Sequence, residues 1–325
     1  MTYSHFVGID IGAYQAHIHV FQGSHFSIQQ GASGYQMLDQ QLCSLNAVPQ
    51  DILVVMEATG VYWLPLAQAL YQKGYAVSVI NPAQSHYFAK ALLKRSKSDP
   101  IDAQILAQLA SHLPQPALWE PDGLTYDSLQ QTLQQRDATL QMLYQTQNRL
   151  HALSYRLHVD QIVLARYHAQ AALFQAQVRA SAADLKASAF SNPLWKTNWL
   201  FLDSIPGFGP VVISWLLVAT RNFTSCSSPE QLVSYAGLCP RLFDSGSSIH
   251  RRPSLGFAPH SRLRQALYMA SLSAVQHNPI IRDFYHHLLD QGKPKKVALC
   301  ACARKLIHIA WALVLNQTYF DPAFS

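Results

Sequence analysis

Hydrophobic and polar residues in the first 113 positions alternate between two periods. His5–Asp10, Ala16–Phe21 and His25–Gln29 are short apolar runs separated by turn residues. They predict three consecutive strands in a meander. A helical period follows over Gly34–Leu45. Asp51–Met56 is almost continuously apolar, the pattern of a central strand covered on both faces. Tyr62–Gln72 predicts a helix that Gly74 ends, and Tyr75–Ile80 another strand that Asn81-Pro82 stops. Two more helices flank a basic segment, Lys94-Arg95-Ser96-Lys97. Strands first, then strand–helix alternation, predict a mixed α/β sheet. This order fits an RNase H-like arrangement better than a doubly wound nucleotide-binding fold.

Beyond the Pro-rich connector Pro114–Pro121 the pattern becomes helical. After Gly123 no Gly or Pro occurs until Pro193, which predicts long helices. Leu129, Leu133, Leu140, Leu143, Leu150 and Leu157 fall on alternating spacings of four and three. That is a coiled-coil stripe, interrupted by polar Arg136, Gln147 and Ser154. It could join a second copy of the chain or pack within one protomer; self-association is the expectation. From about Trp195, helical patterns cover Val211–Thr220, Pro229–Tyr235, Arg262–His277 and Val297–Leu315. Between them, Cys239–Pro259 is polar, Gly/Ser/Pro-rich and basic, and reads as a loop. The domain reading is 1–115, an α/β domain; 122–194, a long-helix region; and 195–325, a mainly helical domain.

Charge changes this picture. Of 325 residues, 24 are Lys or Arg and 18 are Asp or Glu, a net +6. Most of the positive excess lies after residue 239, while the first 120 residues are slightly acidic. A basic C-terminal region beside an acid-bearing N-terminal one suits a polyanion held against a metal site, although a basic surface also serves solubility. The five cysteines form no C-x-x-C pair, so buried, reduced thiols are expected. The longest apolar stretches, such as Val211–Ala219, look too short to span a bilayer. The chain opens on a strand pattern without a signal-peptide layout. A cytoplasmic protein with no membrane partner is the expectation.

Against this scarcity of acid, four residues stand out. Asp10 and Glu57 end apolar runs that read as buried strands, where a carboxylate is costly without compensation. Asp99 and Asp102 lie one helical turn apart in Lys97-Ser-Asp-Pro-Ile-Asp102. Asp99 before Pro100 is also a natural N-cap, and Asp10 in Gly8-Ile-Asp-Ile-Gly12 could be an ordinary turn aspartate. Converging carboxylates are most simply compensated by a divalent cation, which predicts Mg²⁺-dependent phosphoryl chemistry with two ions. In the polar loop, Ser245 of Asp244-Ser-Gly-Ser-Ser248 lies between Arg241 and Arg251-Arg252. It could attack a phosphodiester, or belong to a flexible loop. Ser204-Ile-Pro-Gly-Phe-Gly-Pro210 could be a helix-hairpin-helix turn that offers backbone N–H groups to phosphate, or a plain interhelical turn. Nucleic-acid contacts are expected from Lys94, Arg95, Lys97, Arg241, Arg251, Arg252, Arg262 and Arg264, and from the cluster Lys293, Lys295, Lys296, Arg304 and Lys305.

Taken in order, these blocks resemble the DEDD transposases and recombinases of insertion sequences, a family that also includes the pilin-gene DNA invertases. The blocks are Val7-Gly-Ile-Asp-Ile-Gly12, Met56-Glu-Ala-Thr-Gly-Val-Tyr62, Val79-Ile-Asn-Pro82 and Lys97-Ser-Asp-Pro-Ile-Asp-Ala103. They continue with Ile205-Pro-Gly-Phe-Gly209, Tyr235-Ala-Gly-Leu-Cys-Pro-Arg241, Ser245-Gly-Ser-Ser248, Leu263-Arg-Gln-Ala-Leu-Tyr-Met269 and Gly292-Lys-Pro-Lys-Lys296. The resemblance implies that Asp10, Glu57, Asp99 and Asp102 bind Mg²⁺ in a RuvC-like domain and that Ser245 is the nucleophile, forming a phosphoserine link to DNA. It also implies a homo-oligomer (dimer or tetramer), a site shared between protomers, and a structured noncoding guide RNA that pairs with donor and target DNA. The expected function is an insertion-sequence transposase. The alternatives are a site-specific invertase of the same family and a junction-resolving nuclease that uses the acids and water. The segment Arg252-Pro-Ser-Leu-Gly-Phe-Ala-Pro259 departs from the family pattern.

Overall fold

A computed structural model describes residues 3–58, 60–92, 99–245, 249–255 and 260–323; for 241–245 and 249–254 it describes the backbone alone. The chain divides into two compact units, Met1–Pro121 and Asp122–Ser325.

The first unit contains strands β1 (His5–Ile11), β2 (Gln15–Val20), β3 (His25–Gln29), β4 (Ile52–Glu57) and β5 (Ala76–Ile80). Helices α1 (Ala32–Cys43), α2 (Trp63–Gln72), α3 (Pro82–Ala91) and α4 (Asp99–His112) accompany them. The sheet order is β3-β2-β1-β4-β5. The first three strands form the expected antiparallel meander, while β1, β4 and β5 run parallel. Every predicted element is present, its ends within a few residues of the expectation. Alternation decides what each face carries. Val7, Ile9, Val54 and Met56 are fully buried in one core cluster, which also takes Leu38 of α1 and Leu66 of α2. Leu53 and Val55 point the other way and pack with Leu106 and Ala110 of α4.

Gly8 sits on this second face, where α4 crosses β1. A Cβ built there would land on the Ala103 carbonyl oxygen and the Ala107 amide nitrogen, and 2.8 Å from the Leu106 carbonyl carbon. The obstructing atoms are helix backbone, so no rotamer change can clear them. Residue 8 must be Gly for the helix to approach the strand this closely.

The second unit holds α5 (Leu124–Leu153), α6 (Gln161–Phe190), α7 (Pro193–Asp203), α8 (Pro210–Ala219), α9 (Pro229–Tyr235), α10 (Ser261–His277), α11 (Pro279–Asp290) and α12 (Lys295–Asn316). It also holds β6 (Pro240–Ser245) and β7 (Ile249–Leu255). The stretch without Gly or Pro is two 30-residue helices, the long helices expected there. Asp160 restarts the chain by accepting the Ile162 amide at 2.8 Å. The two helices run antiparallel, with Ser128 Oγ 2.9 Å from Ser188 Oγ and Thr125 Oγ1 3.4 Å from Ser191 Oγ. Leu129 and Leu133 of the leucine stripe are buried within the protomer, in the cluster that contains Leu185 and Ala189 of α6. Leu157 lies beyond the end of α5 and is 98% exposed.

Two expectations are corrected, and one open alternative is narrowed. The polar segment after Cys239 is not only loop: β6 and β7 pair antiparallel, with Ser245 opposite Ile249. Among the described residues one helix, α12, is long and apolar enough to cross a membrane by length and composition. Seven of its residues are nevertheless buried, and five of them, Cys302, Ala303, Leu306, Ile307 and Ala310, belong to the unit's own core cluster, where an apolar helix is expected. In the Ser204–Pro210 turn, Gly207 (φ +105°) is required by packing, since a Cβ would stand 2.7 Å from Cα of Ala274 on α10. That favours the interhelical-turn reading.

Gly8→Ala is predicted to destabilise the first unit by about 1–3 kcal/mol or more, seen as a lower denaturant midpoint. An unchanged midpoint would show that α4 does not press on β1.

Candidate functional site

The four acids belong to one unit and approach one another from two directions. Asp10 is the penultimate residue of β1 and Glu57 the last of β4. Ile9 is in register with Met56 across the parallel pair. The next residues, Asp10 and Glu57, therefore share the opposite face, the one covered by α4. Asp99 opens α4 and Asp102 follows one turn later, directly before the Ala103 that touches Gly8. Both stand in the first turn, where the helix dipole favours negative charge. Asp99 is exposed, and Asp10, Glu57 and Asp102 are half-buried.

The consequence is electrostatic. Burial, then the carboxylates of Asp102, Asp99 and Glu57, push Asp10 up from the usual carboxylate range to about 6; His17 opposes the shift. His17 was not singled out in the sequence. It lies opposite Asp10 on β2, its Nε2 3.8 Å from Asp99 Oδ2 and its ring stacked 6.1 Å from that of His25. Its Nδ1 is buried with no hydrogen-bond partner among the described residues. Ser85 was missed as well. It sits one turn into α3, behind the Asn81 cap, and its Oγ donates to Glu57 Oε2 at 2.6 Å while lying 2.9 Å from the Pro82 carbonyl. Only the Asn81-Pro82 helix start hinted at it.

Among the described residues, no group of three or more His, Cys, Asp or Glu side chains already stands close enough to hold an ion. The donor set still fits one. All four side chains offer hard carboxylate oxygens, the ligands of Mg²⁺ rather than of zinc or copper. Three carboxylates around a fourth are an arrangement that a cation relieves.

The remaining candidates lie elsewhere. Ser245 ends β6 in the second unit, with Asp244 opposite His250 and Phe243 opposite Arg251 on β7. Arg241 and Arg252 belong to the same hairpin. Lys94, Arg95 and Lys97 lie outside the described residues. Arg262 is held by Asp137, Nε to Oδ2 3.1 Å, and Arg264 Nη1 donates to the Gly237 carbonyl at 3.4 Å. Lys305 lies over the Phe284 ring at 4.7 Å. Lys293, Lys295, Lys296 and Arg304 are exposed around the first half of α12. The solvated face is thus these four residues, while Arg262, Arg264 and Lys305 have structural partners.

The Asp10 shift sets a pH dependence. Its folded value of about 6 lies above the unfolded 3.8, so the folded chain holds this proton more tightly. Stability from this group is complete below the unfolded value and is lost as pH rises through the folded one. In metal-free protein, Asp10→Asn is therefore predicted to raise the melting temperature by a few degrees at pH 8, and by progressively less towards pH 4. A gain independent of pH would show that the carboxylates do not interact.

Comparison with known proteins agrees with the order of these blocks. A DEDD transposase model of the IS110 type matches residues 7–158, and a model described as transposase IS116/IS110/IS902 family matches residues 200–286. The first match takes in the four acids and the second Ser245. The chain is 30% identical to a pilin gene-inverting protein of Moraxella bovis over 325 residues, 97% of each chain. It is 31% identical to a pilin gene-inverting protein of Moraxella lacunata over 271 residues, 82% of this chain and 81% of the relative. An insertion element IS110 protein of Streptomyces coelicolor is 31% identical over 147 residues, 45% of this chain and 35% of the relative. Two family matches in sequence order and an end-to-end relative lead to one conclusion: this chain belongs to the IS110 (IS116/IS110/IS902) family of transposases and DNA invertases.

Proposed function

We propose that the protein is a DNA recombinase that cuts and rejoins strands through Ser245, with Asp10, Glu57, Asp99 and Asp102 holding Mg²⁺. The observation that carries this reading is the raised pKa of Asp10. Four carboxylates have been brought to one edge of the sheet at an electrostatic cost that folding alone does not require. The strand order, an antiparallel meander followed by two parallel strands, supports an RNase H-like, RuvC-like assignment for the first unit.

In this reading the Ser245 hydroxyl attacks a backbone phosphorus. A P–O bond forms to Oγ, the bond to the 3′ oxygen breaks, and the Oγ proton leaves as the 3′ oxygen gains one to become a free hydroxyl. A 3′-hydroxyl from another strand then attacks the phosphoserine, restores a phosphodiester and returns the proton to Ser245. Mg²⁺, when bound, would supply charge stabilisation for the phosphoryl transfer, two ions being the expected number. The four acids are the residues that would hold it, His17 and Ser85 orient Asp99 and Glu57, and the basic hairpin and the exposed lysines of α12 hold the DNA.

Pairing with an element-encoded guide RNA would supply target sequence, and a dimer or tetramer would bring acids and serine of different protomers together. Both extend the reading, as do a boundary near residue 195 between long-helix and serine-bearing regions and action on the chromosome or plasmids in the bacterial cytoplasm. The pilin gene-inverting relative, matched over 97% of its length, favours DNA inversion as a second outcome of the same chemistry.

Ser245→Ala is predicted to abolish both recombination of the chain's flanking DNA and the covalent protein–DNA adduct on denaturing gels. Adduct from the variant would overturn the nucleophile, and cleavage without any adduct would favour the nuclease alternative. Asp102→Asn should lower recombination by about 10²-fold or more. Mg²⁺ should raise the melting temperature of the wild type but not of Asp10→Asn; equal shifts in both would place the ion elsewhere.

A further inference from the structure

The second unit encloses an open cleft of about 980 Å³, at the upper end of the range for small-molecule sites. One wall is α5. Gln130, Gln134, Asp137 and Gln141 follow at spacings of four, three and four, forming a single stripe along the helix. The stripe runs beside the buried Leu129 and Leu133 but is itself polar. The opposite wall is aromatic: the His260 ring lies 5.2 Å from Trp215 and 5.5 Å from Tyr235. Tyr126 adds a fourth ring from the start of α5. Burial holds the His260 imidazole below its usual pKa, so at neutral pH it presents an uncharged ring.

The charges at the cleft narrow what it can take. Arg262 is tied to Asp137 at 3.1 Å, and Arg221 to Asp122 at 3.1 Å. Each guanidinium is already paired, and the Asp137 carboxylate faces the cleft, so the site is poor for a phosphate. Rings for stacking and side-chain amides for paired donor–acceptor contacts suit a neutral planar heterocycle. The cleft also lies at the root of the serine hairpin. The His260 N–H donates to the Tyr235 carbonyl at 3.2 Å, pinning together the points where the chain departs for β6 and returns from β7. From this geometry we propose that the cleft receives an unpaired nucleobase of the bound nucleic acid, stacked on the exposed ring of Tyr235, with the tilted His260 ring and the buried Trp215 behind it, and read by Gln134 and Gln141. The proposal rests on the nucleic-acid reading given above.

The test uses the full chain and short oligonucleotides carrying a single 5-iodouracil, as single-stranded DNA, single-stranded RNA or base-paired duplex DNA. After irradiation, the crosslinked peptides are mapped by mass spectrometry. Crosslinks to Tyr126, Trp215, Tyr235 or His260 from single strands, and not from the duplex, are expected; the DNA and RNA arms identify which strand supplies the base. Tyr235→Ala should weaken single-strand binding roughly tenfold and leave duplex affinity unchanged, while Tyr235→Phe, which keeps the ring, should bind like the wild type. Duplex binding by the wild type with crosslinks only outside the cleft would overturn the base site alone. So would a Tyr235→Ala variant that loses single-strand and duplex binding equally, or neither. Failure of the wild type to bind any nucleic acid would overturn both this proposal and the reading beneath it.

Discussion

The candidate site of the first unit depends on one close approach, that of α4 to β1 at Gly8. The helix backbone at Ala103, Leu106 and Ala107 occupies the space a side chain would fill. Asp102 immediately precedes Ala103, and Asp10 lies two residues beyond Gly8 on the same face of the strand. A missing Cβ therefore sets how near the two pairs of acids can come. A wider contact would move Asp99 and Asp102 away from the sheet edge and leave each carboxylate in its own solvent. The Gly in Val7-Gly-Ile-Asp10 is thus tied to the acid cluster through packing rather than through turn geometry.

That approach has an electrostatic cost that shapes the rest of the edge. Asp10 is pushed up to about 6 because burial and three carboxylates outweigh one histidine. The nearby groups all bear on this repulsion. His17 stands across the β1–β2 pair, the Ser85 hydroxyl donates to Glu57, and the N-terminal dipole of α4 favours Asp99 and Asp102. Together they leave Asp10 still pushed up, so they do not cancel the acids. A divalent cation is the compensation matched to an all-oxygen donor set, and its binding energy would become folding energy for this edge of the sheet.

The second unit solves a different problem, holding a long basic hairpin on a helical body. The α5–α6 pair uses its first leucines within the protomer, against α6 and the core that α8, α10 and α12 complete. The polar stripe beside those leucines is left facing the aromatic wall, and the Tyr235–His260 hydrogen bond closes the base of the hairpin at the same place. A core face and a cleft face thus coexist on α5, which explains why its apolar pattern is too irregular for a pure coiled-coil seam.

Sequence periodicity by itself determined most of the first unit, because strand and helix periods are local and the turn residues between them, such as Asn81-Pro82 and Gly74, punctuate the chain unambiguously. The four acids were legible for a related reason: carboxylates are scarce in this chain, and two of them end apolar strands. The hairpin of β6 and β7 was not legible, since a polar Gly/Ser/Pro-rich segment has no apolar face to betray its pairing. Neither was the break between α5 and α6, which comes without Gly or Pro. His17 and Ser85 reach the acids only through cross-strand register and the packing of α3, separations that no local window spans. The cleft of the second unit needed the tertiary structure most. It joins α5 to rings from α8 and α9 and to His260 at the start of α10, and only folding brings an amide stripe and an aromatic wall face to face.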